Sequence, residues 1–182
     1  MSSTNAPFGL RPAFHPSGLD RAQALAGGIA SGYGSAILKG QPVKYVTGGT
    51  IQPAAAGDAF AGAFAGVEWT DTTGRRHVSN NWPASTAYQT GSCIAYFYND
   101  PLIVYEIQAD GSIAQSAIGD EADLSNTTAG STVTGLSQAT LSSTLAGAGN
   151  SAQMRIVDLA PYPDNAWGDS YTIVRVTINE SQ

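Results

Sequence analysis

The residues of this chain that could do nucleophilic or acid–base chemistry are few and scattered. His15, His77 and Cys93 are its whole supply of imidazole and thiol. A Ser–His–Asp or Cys–His machine needs its base within hydrogen-bond reach of the nucleophile and a third group to orient that base. His15 stands before Pro16 in a stretch broken by glycine and proline, and His77 follows Arg75 and Arg76 in a short strand-like run. These two arginines are expected to pair locally with Asp71, before the alternative of reaching an acidic neighbour across an interface. The segment Gly135-Leu136-Ser137-Gln138-Ala139 faintly resembles a nucleophile elbow but lacks the second glycine and a buried strand before it. Glu68 and Glu106 would serve as a glycosidase-like pair only if the fold set their separation. Two distant histidines and one cysteine do not make a zinc set, and Asp120, Glu121 and Asp123 lack the loop spacing of an EF-hand. In the glycine-rich run Gly27–Gly40, Lys39 precedes its glycine instead of following one, so this is no phosphate loop. The chain therefore reads as a non-enzyme with no cofactor and no metal.

Charge points the same way. Of 182 residues, 8 are Lys or Arg and 14 are Asp or Glu, for a net charge of −6. Sequence-independent nucleic-acid binding needs clustered cations, yet no Lys or Arg lies between His77 and Met154. The acidic residues in that span read as a solvated face. Only 12% of residues are charged, about half the usual share, which leaves much neutral surface that is cheap to desolvate in an interface. The lone Cys93, next to Ile94-Ala95-Tyr96-Phe97, reads as a buried, inert thiol. No signal pattern opens the chain and no apolar run approaches about 18 residues. A soluble protein made in a reducing cytoplasm, without membrane contact, is expected.

The elements that must carry any function read as strands. Gln41–Thr47 and Thr50–Pro53 flank Gly48-Gly49, two glycines able to take the positive φ of a type I′ hairpin turn. Ala59–Thr70 follows, then the turn Asp71–Gly74. Ser92–Tyr98 and Leu102–Ala109 are joined at Asn99-Asp100-Pro101. In the second of these, Ile103, Tyr105 and Ile107 alternate with Val104, Glu106 and Gln108, the period-2 pattern of a strand. Gln153–Ala160 and Tyr171–Asn179 close the chain. Thr172, Val174, Val176 and Ile178 form one row of the last strand. The Ser/Thr/Gly-rich residues 114–150 read as long loops, with a weak helical signal over Ser137–Leu145. Short strands and frequent turn signals predict an all-β antiparallel sandwich or barrel, jelly-roll or tulip-like, for residues 41–182.

Residues 1–40 read differently. Seven glycines and three prolines forbid a long helix or central strand. Arg11, Arg21 and Lys39 against Asp20 make the segment net basic, whereas the remainder holds five basic and thirteen acidic residues. Phe8, Leu10, Phe14, Leu19 and Tyr33 are more apolar bulk than a disordered tail carries. An extended N-terminal arm that grips another surface is expected, with Phe8, Arg11, Phe14 and Tyr33 as contact residues. Trp69 reads as core. Trp82 and Trp167, in Asn/Pro/Gly-rich loops, read either as plugs of the barrel or as anchors for a partner.

Four stretches carry a resemblance to a known family. They are Asn5-Ala6-Pro7-Phe8-Gly9-Leu10-Arg11-Pro12 with His15-Pro16-Ser17-Gly18, and Lys39-Gly40-Gln41-Pro42-Val43 through Ile51-Gln52-Pro53-Ala54 to Val67. The others are Asp100-Pro101 with Tyr105-Glu106-Ile107-Gln108-Ala109-Asp110-Gly111, and Arg155-Ile156-Val157 with Pro163-Asp164-Asn165. In these the chain resembles the capsid decoration, or cement, proteins of tailed bacteriophages. The resemblance implies a structural virion protein on the outer surface of an icosahedral head, made in the host bacterial cytoplasm. Its partners would be the major capsid protein and itself, as a homotrimer before a homodimer. It implies no catalytic residues. The competing expectation is a carbohydrate- or receptor-binding β-module of a virion, with Trp82 and Trp167 as stacking platforms.

Overall fold

The structure, a computed structural model, describes residues 2, 4–18 and 22–182. Leu19, Asp20 and Arg21, read above for their apolarity and charge, lie outside the described residues. Fifteen strands run in chain order among the described residues. They are β1 (Arg11–Phe14), β2 (Gln23–Ala26), β3 (Pro42–Val46), β4 (Thr50–Pro53), β5 (Gly62–Thr70), β6 (Arg76–Ser79), β7 (Ile94–Tyr98) and β8 (Val104–Gln108). The short β9 (Glu121–Ala122), β10 (Leu124–Ser125), β11 (Gly130–Ser131), β12 (Leu136–Ser137) and β13 (Thr140–Leu141) follow, then β14 (Met154–Leu159) and β15 (Ile173–Ile178).

The fold is all-β, with two antiparallel sheets. The five-stranded sheet has the order β1-β8-β15-β14-β9. The six-stranded sheet runs β2-β7-β5-β3-β4, with β6 also paired to β5. No helix among the described residues is long and apolar enough to cross a membrane.

The strong period-2 segments become the sheet centres, because alternation gives each a face to bury. Tyr105 and Ile107 of β8 and Val174 and Val176 of β15 are fully buried and pack with Leu10, Phe60, Met154 and Ile156 in one core cluster. A second cluster centres on Phe64, Val67, Trp69, Trp82 and Phe97. The β3–β4 hairpin turns at Gly48 and Gly49, both with positive φ. Gly62 of β5 shows why a glycine stands there: a Cβ would lie 1.6 Å from the Tyr98 carbonyl oxygen of the neighbouring strand.

Three expectations are corrected by this architecture. The described residues of the leading forty do not form a free arm. β1 pairs with β8 in one sheet and β2 with β7 in the other, and Leu10, Ile29 and Ile37 are fully buried. The Ala6 N–H donates to Gln108 Oε1 at 2.9 Å, and Gln108 Nε2 donates to the Thr4 carbonyl at 3.1 Å. The physical reason is that β8 is buried on both faces, so the leading segment must cover the polar side of Glu106 and Gln108. The glycines and prolines let it turn from one sheet to the other.

Residues 114–150 are likewise docked, in small ladders pairing β10 with β13 and β11 with β12. Leu124, Ala139 and Leu141 are buried, and Asp110 accepts from Ser125 Oγ and the Ser143 N–H. Ser137–Leu145 contains strands, not a helix, since its Ser and Thr side chains favour local turns over helical propagation.

Candidate functional site

Five stretches of chain converge beside β1 on a groove of about 430 Å³. Phe64 and Leu10 form its buried base, Phe8, Tyr98 and Leu136 its walls, and Arg11 and Lys39 stand at its mouth. Backbone hydrogen bonds fix it. The Leu10 N–H donates to the Gly40 carbonyl at 2.8 Å, and Gly40 N–H to the Phe64 carbonyl at 2.7 Å. On the far side the Lys39 N–H donates to the Gly135 carbonyl at 2.9 Å, and the Lys39 carbonyl accepts from the Ser137 N–H at 2.9 Å. Gly9 has φ +76°, and a Cβ there would meet the Gly40 oxygen at 2.7 Å. The crossing of the leading segment over residues 39–40 therefore depends on glycine.

Across the ridge formed by residues 36–41 and the β11–β12 hairpin lies a second, more polar groove of about 500 Å³, lined by Tyr33, Leu38, Pro53 and Thr132 among others. Gln41 holds the ridge down: its Oε1 accepts from Leu38 N–H at 2.8 Å and its Nε2 donates to the Thr127 carbonyl at 3.0 Å.

Next to the first groove a buried carboxylate gathers cations. Glu106 accepts from Arg11 Nη2 at 2.8 Å and from the Tyr162 hydroxyl, and Arg175 Nε lies 3.5 Å from its second oxygen. Arg11 also stacks 4.5 Å from the Phe8 ring centroid, and Arg175 lies 5.3 Å from that of Phe14. Burial by itself would raise the Glu106 carboxyl. The Tyr162 hydroxyl and the two guanidinium groups outweigh it and hold the group below its usual value. A carboxylate depressed in the fold stabilises above its unfolded pKa, about 4.3, and loses that contribution as pH falls through the folded value. Glu106→Gln is therefore expected to lower stability at pH 7 by about 1–3 kcal/mol. The gap to the parent chain should shrink between pH 5 and pH 3, as followed by thermal melts. A gap that widened on acidification would contradict the assignment.

The sequence-predicted residues divide. Phe8 and Arg11 meet at the first groove and Tyr33 lines the second. Phe14 is 43% exposed at the edge strand β1. Trp82 is fully buried, edge-on to Trp69 and Tyr88, and so is neither an exposed anchor nor a surface on which a sugar could stack. Trp167 is half-buried against the first core cluster. Of the two arginines, Arg76 pairs with Glu68 across β5 and β6. Asp71 takes instead Thr73, His77 and the Arg75 N–H, which hold its carboxyl well below the usual range. The sequence gives no reason to place Lys39, Leu136, Phe64 and Tyr98 on one groove. The paired glycines Gly9 and Gly40 were the available signal, as marks of a close backbone crossing.

Two arrangements bear on chemistry. His15 Nε2 lies 3.1 Å from Asp100 Oδ2, and its Nδ1 lies 2.6 Å from Ser17 Oγ. The Ser17 backbone N–H also donates to that Nδ1 at 3.0 Å, while the buried Nε2 makes no hydrogen bond among the described residues. Gly18 N–H closes onto the His15 carbonyl at 2.8 Å. With both amides committed to the turn, neither is offered to a developing oxyanion, and the ring serves to shape the turn. Glu68 and Glu106 sit in different sheets, each engaged by arginine and each held below the usual carboxyl value. A general acid requires the opposite shift. No group of three or more potential metal ligands occurs among the described residues.

No protein-family model, curated protein or solved structure matches the chain.

Proposed function

We propose that the chain is a structural virion protein that decorates the outside of an icosahedral phage head and stabilises contacts between major capsid proteins. The observation that carries this reading is a body with a closed core that nonetheless leaves large apolar side chains in water. Val133 is 94% exposed, Val78 74%, Leu102 62% and Leu136 47%. Soluble monomers tolerate scattered apolar side chains, but Leu136 lies on a preformed groove, where an interface would use it. The four family-like stretches support it further, since two of them, Phe8–Pro12 and Lys39–Gly40, supply the groove itself.

Decoration of this kind works by mass action. A protein that binds the assembled shell and not the free subunit stabilises the shell by about 2.7 kcal/mol per site when present at a hundred times its dissociation constant. Heads purified without this protein are expected to bind it saturably in co-sedimentation and to break open at a higher temperature once coated. Absence of co-sedimentation at micromolar protein would remove the proposal.

A further inference from the structure

We infer that the outer edge of β6 takes an extended segment of a different protein as an added strand, with an aliphatic side chain beside Val78 and a carboxylate beside Arg75. The open edge follows from the hydrogen-bond phase of the β5–β6 hairpin. In an antiparallel ladder, directly opposed residues alternate between exchanging both backbone bonds and exchanging neither. The Asp71 N–H donates to the Arg75 carbonyl at 2.9 Å, and the register runs from there without a shift. The pairs Trp69–His77 and Val67–Ser79 are therefore the bonded ones. Thr70 sets the same phase from the other side. Its N–H donates to Ser92 Oγ at 3.1 Å and its carbonyl accepts from the Gln89 N–H at 2.9 Å, both away from β6. Arg76 and Val78, opposite Thr70 and Glu68, thus turn their N–H and C=O groups outward. β6 pairs with β5 alone, and none of these four groups has a partner among the described residues.

Native sheets guard such edges with proline, a bulge or charge. β6 has no proline and no bulge, and Arg76, its one permanent charge, is already paired with Glu68. Arg76 and Val78 share the outer face, since Trp69 and the stacked His77 occupy the other. Val78 is 74% exposed there. Arg75, one residue before the strand, alternates to the opposite face. It is exposed and has no carboxylate within 4 Å among the described residues. Asp71 is spent on Thr73, His77 and the Arg75 backbone.

These positions dictate the chemistry of the occupant. In strand addition, main-chain bonds supply affinity and side-chain pairs supply specificity. On an antiparallel segment, the residue opposite Val78 is followed three positions later by the one opposite Arg75. The segment therefore carries an aliphatic residue and, three positions on, Asp or Glu. A second β6 does not fit, because Arg76-His77-Val78-Ser79 offers no carboxylate. This inference does not need the capsid reading: binding to whole heads tests that one, and peptide binding to the free protein tests this one.

The test is a titration of the nitrogen-15-labelled full-length chain with the blocked peptide Ser-Thr-Val-Thr-Thr-Glu-Thr, read by amide chemical shifts. Saturable shifts centred on residues 75–80 are expected, with a Kd at or below about 1 mM. Exchanging the peptide Glu for Lys, or Arg75→Glu in the protein, should each weaken binding about fivefold. The two changes together should restore it. Val78→Pro deletes an N–H that bonds nothing in the fold, a position where an edge strand tolerates proline. Its melting temperature should hold while binding falls about fivefold or more. A peptide N-methylated at its valine should lose binding to the unaltered protein, which keeps the test decisive if Val78→Pro does not fold. Weaker binding than stated, shifts centred elsewhere, indifference to the charge exchange, or full binding of the N-methylated peptide overturns the inference.

Discussion

A chain lacking residues 1–35 is expected to lose cooperative folding altogether, not merely a binding appendage. The truncation removes Leu10 and Ile29, both fully buried. At roughly 1.5–3 kcal/mol each these two side chains account for about 3–6 kcal/mol, against a total stability of about 5–15 kcal/mol for an ordinary domain. It also strips β1 from β8 and β2 from β7, leaving two new open sheet edges. It uncovers Gln108 as well, and takes away Arg11, one of the cations that hold the buried Glu106. Glu106 would then keep only Arg175 and the Tyr162 hydroxyl, and a buried carboxylate that loses a partner is costly. The measurement is near-UV circular dichroism with a thermal melt: the truncated chain should show neither fixed aromatic signals nor a sigmoidal transition. A sharp transition within a few degrees of the full chain would mean that the leading segment is dispensable after all.

Trp82→Ala should be the most damaging single truncation in the core. The indole has no exposed surface and touches Trp69 and Tyr88 edge-on, with ring centroids 5.5 and 6.0 Å away. Backbone pairing of Trp82 with Ile37 in both directions, at 2.7 and 3.2 Å, ties this loop to the leading segment, so the hole cannot collapse easily. Large aromatic deletions of this kind cost about 3–5 kcal/mol. At about 2–4 °C per kcal/mol for a chain of this size, the melting temperature should fall by roughly 6–20 °C. Differential scanning calorimetry would read it directly. A change under about 2 °C would place the indole at the surface and restore the idea of a stacking platform.

The body strands were legible in the sequence wherever alternation was strict. Tyr105 and Ile107 against Glu106 and Gln108, and Val174 and Val176 against Arg175 and Thr177, announce their strands because a period of two gathers the apolar side chains on one face of a pleated ribbon. The turn at Gly48-Gly49 was legible for a local reason too, since two adjacent residues must adopt positive φ. The status of Phe8, Arg11 and Tyr33 as groove residues was partly legible, through their company of glycines in a basic stretch.

What sequence alone determined is therefore what short-range stereochemistry governs: the strictly alternating strands, the Gly48-Gly49 turn and the burial of Cys93. Only tertiary structure decided where each face goes. Because Glu106 and Gln108 occupy the second face of a strand buried on both sides, something distant had to cover them, and the first forty residues do so. The same long-range pairing buries Trp82 and joins Lys39 to Leu136, almost a hundred positions apart. Contacts of that span leave no local period in a chain, since they depend on which surfaces happen to meet once the two sheets are in place.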